Sequence, residues 1–160
     1  MIALTLATAA RIVDAALAEG EARGAQPLCV VVLDAGAHVL ALKRDERAGL
    51  LRAAIATAKA SGALGMGMGS RALAARAKAA PAFFDALAVV SEGTLIPAPG
   101  GVLIRNHDRE IIGAVGISGD TSDLDEACAV AAVAHAGLIA DPGATPDPPL
   151  PNADSDKDPA

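Results

Sequence analysis

Apolar residues recur along this chain with two periods, and the switches between them predict its elements. Over Leu4–Arg23, Leu6, Ala10, Val13 and Leu17 share one face at helical spacing, with Arg11, Asp14, Glu21 and Arg23 off it. Thr5 is the expected N-cap, and Gly24 the stop, because glycine takes the left-handed cap without strain. Leu28–Leu33 is short, continuous and rich in β-branched residues, the pattern of a strand covered on both faces. Asp34–Ala37 then reads as a turn and His38–Lys43 as the second arm of a hairpin. The mixed charges of Lys43–Arg47 suit a solvated loop.

Leu50–Leu64 predicts a second helix with Leu51, Ala54, Ile55 and Ala58 on its apolar face. Arg52 and Lys59, two turns apart, share one edge of it. Glycines at 62, 65, 67 and 69 end it, and Ser70 is the expected cap of a third helix, Arg71–Ala80, closed by Pro81. Pro81–Glu92 is ambiguous: Phe83, Phe84, Leu87 and Val90 fit a short helix, and Ala86–Val90 equally fits an extended segment. Leu95-Ile96 is a candidate edge strand before Pro97. Gly101–Arg105 and Glu110–Ser118 read as strands joined by the hairpin loop Asn106–Arg109. Thr121 or Ser122 would cap a last helix, about Leu124–Ile139, with Asp123, Asp125 and Glu126 complementing its dipole.

Composition narrows the picture. The chain has 160 residues, 52% of them hydrophobic, enough for one core. No run is long and uncharged enough to span a membrane. Met1–Ala10 has no basic residue, and Arg11 and Asp14 soon break the apolar pattern, so no secretory signal is expected and the expectation is a cytoplasmic protein. The net charge of −6 is uneven: the last 20 residues hold five Asp and one Lys, leaving −2 on the first 140. That tail, 141–160, has too few apolar residues to order itself, so the expected layout is a folded domain over 1–140 and a disordered acidic tail. An acidic chain with two Phe and no Trp or Tyr makes a poor nucleic-acid partner.

Candidate chemistry is sparse. Cys29 and Cys128 lack metal or redox spacing and read as small buried hydrophobes. His38, His107 and His135 form no i, i+4 pair. His135, on the last helix, is the imidazole placed to ligate haem iron at a subunit interface, with His107 the other candidate. Gly65–Gly69 lacks the strand-to-helix context of a dinucleotide loop. The densest glycine and proline cluster is Pro97–Gly101, where bared main chain would receive a ligand and Arg52 or Lys59 would meet a carboxylate.

The order and spacing of LTLATAARIVDAAL, LCVVVLDAGAHVLALKR, AIATAKASG, PAPGGVLIR and IIGAVGISGDTSDLDEACAVAA resemble the GlcG/HbpS family, which includes the C-terminal domain of PduO-type proteins. The resemblance covers about Leu4–Gly137. It implies an α+β, profilin-like fold: a five-stranded antiparallel sheet, order 2-1-5-4-3, flanked by helices. It also implies a homo-oligomer, tetrameric or octameric, and a small-molecule ligand. The matched positions are Lys59, Gly100, Gly101, Ser118, Gly119 and Asp125. Asn106–Arg109 and Asp120-Thr121 depart from the family pattern.

The leading expectation is a binding protein for haem or a related tetrapyrrole, in uptake, utilisation or sensing. Arg52, Lys59 or Arg105 would meet the propionates. An alternative is an enzyme or accessory subunit acting on a small organic acid, as in glycolate or diol utilisation. In that reading Lys59 orients the carboxylate, main-chain N–H groups at Gly100–Gly101 and Ser118–Gly119 stabilise an oxyanion, and Asp125 is the general base. A third is a structural partner of a larger complex.

Overall fold

The computed structural model describes residues 3–144. Helix α1 (Leu6–Ala22) leads into the hairpin β1 (Cys29–Asp34) and β2 (Val39–Arg44). Three helices follow: α2 (Arg52–Met66), α3 (Ser70–Ala79) and α4 (Pro81–Val90). The chain then forms β3 (Gly101–Arg105), β4 (Ile111–Ser118), α5 (Ser122–His135) and β5 (Ile139–Asp141). The five strands make one antiparallel sheet in the order β2-β1-β4-β3-β5.

The α+β class expected from the sequence is the one observed. The first four places, from β2 to β3, are those the resemblance implied, but the fifth strand comes from elsewhere. Leu95-Ile96 is not a strand; it runs beside α2, where the Ile96 N–H donates to the Ala58 carbonyl. Ile139–Asp141 pairs with β3 and closes that edge. α5 accordingly stops at His135 instead of reaching Ile139, because Gly137 turns the chain at φ 75°. Asp141, assigned to the tail, belongs to the sheet, and residues 142–144 follow it against α3, where the Pro142 carbonyl accepts from Arg71 N–H; 145–160 of the predicted disordered segment lies outside the described residues.

The ambiguous stretch after Pro81 is helix α4, with proline at its first position, where a missing N–H costs nothing. Thr5 and Thr121 cap α1 and α5 as expected, accepting from Thr8 N–H and Leu124 N–H. Ser70 does not cap: Gly69 holds that place, and the Ser70 hydroxyl accepts from Gly101 N–H at 2.7 Å.

Two apolar layers sandwich the sheet. On one face α1 and α5 pack through Ile12, Val13, Ala129 and Val133 against Val30, Val32, Val115 and Ile117. On the other, α2 packs through Ala56, Ala60 and Ala63 against Val31, Leu33 and Leu103. Both helices are rotated from the sequence reading. Leu6 is exposed on α1, as are Leu51, just ahead of α2, and Ala54 on α2. For α2 the cause is the sheet beneath it. Gly101 and Gly116 are cross-strand partners, and a Cβ on either would strike a main-chain carbonyl of α2, that of Lys59 or Ala56. The helix backbone lies directly on this glycine floor, so only alanines fit beneath it.

Gly116→Ala therefore has no side chain that can move aside. It is expected to destabilise the protein by about 3 kcal/mol, the upper part of the range for overpacking. A urea midpoint within error of wild type would refute the close-approach account.

Candidate functional site

Gly100 stands between the glycine floor and the end of β4, at φ 117°, a conformation glycine adopts readily. A Cβ there would lie 2.9 Å from Lys59 Nζ, 2.9 Å from the Ile117 carbonyl oxygen and 3.2 Å from Asp125 Cβ. Through that gap Lys59, on the α2 face of the sheet, reaches Asp125, in the first turn of α5 on the opposite face. Lys59 Nζ donates to Asp125 Oδ2 at 3.0 Å and to the Ile117 carbonyl at 2.9 Å. Lys59 is 3% exposed and Asp125 1%.

The polar network continues from this pair. Asp125 Oδ1 accepts from Asp120 N–H at 3.1 Å, and Asp120 Oδ2 accepts from Gln26 N–H at 2.7 Å. Arg52 Nη1 donates to Ser118 Oγ at 3.1 Å. Burial pushes the Asp125 carboxyl above the ordinary carboxylate value, against the pull of Lys59, the Asp120 N–H and Arg52. Asp120 is held below its ordinary value, chiefly by the Gln26 N–H and then by the Thr121 N–H.

Arg52, Lys59, Gly100, Gly101, Ser118 and Asp125 thus share one end of the sheet, with Gly119 following Ser118. At Gly101 the main-chain N–H is not open to a ligand, against the expectation of a bared cradle at that residue. Ser70 takes the Gly101 N–H, and a Cβ on Gly119 would strike the Pro27 carbonyl. The glycines admit the protein's own α2 backbone and Lys59.

Arg105 lies at the far end of β3, where Nε donates to Asp141 at 2.9 Å and Nη1 to the Arg109 carbonyl at 2.8 Å. His107 is exposed in the β3–β4 turn. His135 ends α5, ten residues past Asp125, or about 15 Å along the axis. It lines a groove of about 350 Å³ with Arg11, Asp14, Ala15, Ala18 and Ala136. A larger groove of about 780 Å³ shares Asp14 and Ala18 and carries Lys43, Arg44 and Arg47 on its other wall. Sequence reasoning missed Arg11 as a groove residue, Ser70 as an acceptor and Asp120 as a link; nothing in the local pattern marks any of them. Cys29 and Cys128 are free and buried, and burial raises both thiols, as suits inert core residues.

Lys59→Met leaves Asp125 buried without its counter-charge and is expected to cost about 3–5 kcal/mol by urea unfolding. Adding Asp125→Leu should restore at least half of that loss; a double variant no better than the single would argue against a paired role. Because the Asp120 pKa is depressed, its contribution is present above the unfolded value of about 3.9 and lost as pH falls through the lower folded value. Asp120→Asn should therefore flatten the fall in urea midpoint between about pH 5 and about pH 2.5. An unaltered acid profile would rule that link out.

Among the described residues no helix is long and apolar enough to cross a membrane. The profile of the family described as haem degrading protein HbpS-like matches residues 4–134. No curated protein matches the chain. Among solved structures, the PduOC–heme complex is similar at 24% identity and a TM-score of 0.78, over 86% of this chain and 97% of its own. A double mutant of Streptomyces reticuli HbpS is similar at 26% identity and a TM-score of 0.72, over 84% and 88%. Klebsiella pneumoniae protein ORFY is similar at 23% identity and a TM-score of 0.74, over 86% and 93%. With more than three-quarters of its length matched by that profile, on the same sheet and helices, the chain belongs to the HbpS-like family.

Proposed function

We propose that this protein binds haem, in uptake, utilisation or sensing, and that His135 is its iron ligand. The observation that carries the reading is the placement of His135. It is an exposed imidazole at the end of α5, in the same groove as the Arg11 guanidinium and a wall of Ala15, Ala18 and Ala136. An axial nitrogen, a cation for a propionate and an apolar wall are the donor set that haem needs. Support also comes from the family description and from the similar PduOC fold, which was crystallised with heme. The family profile stops at residue 134, so His135 rests on its own geometry.

Bound haem would supply an iron centre for ligand exchange or electron transfer. The chain's residues would hold and orient it. Arg11 takes the propionate role in place of Arg52, Lys59 and Arg105, its own bond being an exposed one to Thr8 Oγ1 at 3.4 Å. Lys59 already serves two buried acceptors, Arg52 is bonded to Ser118 and Arg105 to Asp141. The groove is open along one side, so a second copy of the chain would complete the pocket within the tetramer or octamer that belongs to this reading.

Haemin titrated into the protein is expected to give a shifted, saturable Soret band. His135→Ala should weaken binding at least tenfold, and His107→Ala should leave it within about twofold, in proportion to a lost axial bond. A flat titration at micromolar protein, or full binding by His135→Ala, would sink the proposal.

A further inference from the structure

The groove that holds His135 is an incomplete seat for a dicarboxylate. Haem carries two propionates on adjacent pyrroles, and among the described residues lining this groove Arg11 is the one guanidinium or ammonium. Its one carboxylate, Asp14, would repel both propionates. The larger groove answers both deficits. Asp14 and Ala18, one turn apart on α1, line the two grooves alike and form the ridge between them. Lys43 comes to that ridge from the other side. Its place in β2 opposite Val30 turns it to the α1–α5 face of the sheet. Its Nζ donates to Asp14 Oδ1 at 2.6 Å. That bond runs from β2 to α1 in the open, with the two side chains 57% and 58% exposed. The other cations of the larger groove are committed elsewhere. Arg47 donates twice to the Asp45 carboxylate, and Arg44 donates to the Asp45 and Ala48 carbonyls.

We infer that Lys43 binds the second propionate, and that Asp14 is the residue that positions it. Arg11 and Asp14 are three apart on α1, with β-carbons about 5–6 Å from each other. The Lys43 ammonium, seated on Asp14, therefore stands beside the Arg11 guanidinium, one cation per propionate along one helix turn. An ammonium has three N–H donors, and among the described residues only Asp14 takes one. Lys43 can keep that bond and add a carboxylate. The same bond cancels the charge that Asp14 otherwise turns toward the ligand. An exposed ion pair adds little to stability, so its loss leaves the fold intact and its part in binding can be read alone. The ligand class that follows is a tetrapyrrole with two free carboxylates, not a neutral or esterified one.

This inference rests on the haem reading at His135 and adds to it a preference for free propionates. The test titrates haemin and its dimethyl ester, in the same dilute detergent, into wild type, Lys43→Met, Lys43→Arg and the double variant Asp14→Asn/Lys43→Met. Lys43→Met should bind haemin about tenfold more weakly, the loss of one charge-assisted bond, and should bind the ester as wild type does. Lys43→Arg should stay within about threefold of wild type on haemin, and the double variant should remain weak. Haemin bound equally by wild type and His135→Ala, or by neither, would overturn the haem reading and this inference with it. His135-dependent binding that is as tight in Lys43→Met as in wild type would overturn the Lys43 role alone. So would an equal loss on the ester, which points to the shape of the groove and not to a carboxylate. Full recovery in the double variant would do the same, because it reduces Lys43 to a shield for Asp14.

Discussion

The fold depends on one close approach, the α2 backbone lying on Gly101 and Gly116. Helices usually pack on sheets through side chains, with a layer of branched residues between. Here the spacer is absent: the carbonyls of Ala56 and Lys59 occupy the space where two β-carbons would be. Everything on that face follows. α2 offers mainly alanines to the sheet, with Leu64 packed part-buried against the same cluster. The lowered helix also brings Lys59 within reach of the end of β4, so that its ammonium passes the side-chain-free Gly100 to meet Asp125.

That ion pair joins the two faces of the sheet. Its net contribution to stability need not be large, because desolvating two charges offsets most of their attraction. Its value lies in register. A buried ammonium must find an acceptor, and the available ones, Asp125 Oδ2 and the Ile117 carbonyl, exist only when α2, β4 and α5 are correctly placed together. Asp120 extends the constraint to the α1–β1 connection through Gln26. A slip of α2 by one residue turns the helix by about 100°, which would leave the charge unpaired and carry the Ala56 and Lys59 carbonyls off the glycine floor.

This explains which parts of the structure were legible in the sequence. Strands β1, β3 and β4 announce themselves as short apolar runs bounded by turns, and Thr5 and Thr121 as caps. β5 does not, because three residues after a helix carry no period of their own. The glycines at 100 and 101 signalled close approach, but glycine records that something comes near without recording what. The alanines of α2 held the answer: Ala56, Ala60 and Ala63 recur at i, i+4 and i+7, a face of small residues that fits a backbone contact. Asp125 was expected in one site with Lys59 as a general base, and its buried pairing with that lysine was hidden for another reason. A carboxylate in the first turn of a helix is satisfied by the dipole alone, so nothing local shows that it turns inward to a lysine 66 positions earlier.

The division of labour along α5 is the last consequence. Its N-terminal turn is committed to the buried pair, and its C-terminal turn ends in an exposed imidazole about 15 Å away. In the proposed reading a single porphyrin held by that imidazole would not also reach Lys59, so the residues that fix the fold and those proposed to meet a ligand are separate sets. Such a separation lets the ligand site vary without disturbing the packing beneath it. The departures from the family pattern at Asn106–Arg109 and Asp120-Thr121 illustrate both cases. The first lies in the β3–β4 turn, where 107–109 are exposed and the buried Asn106 side chain ties the turn to Glu110. The second puts an aspartate where its oxygens and N–H bind Gln26, Thr121 and Asp125, so that change is part of the frame.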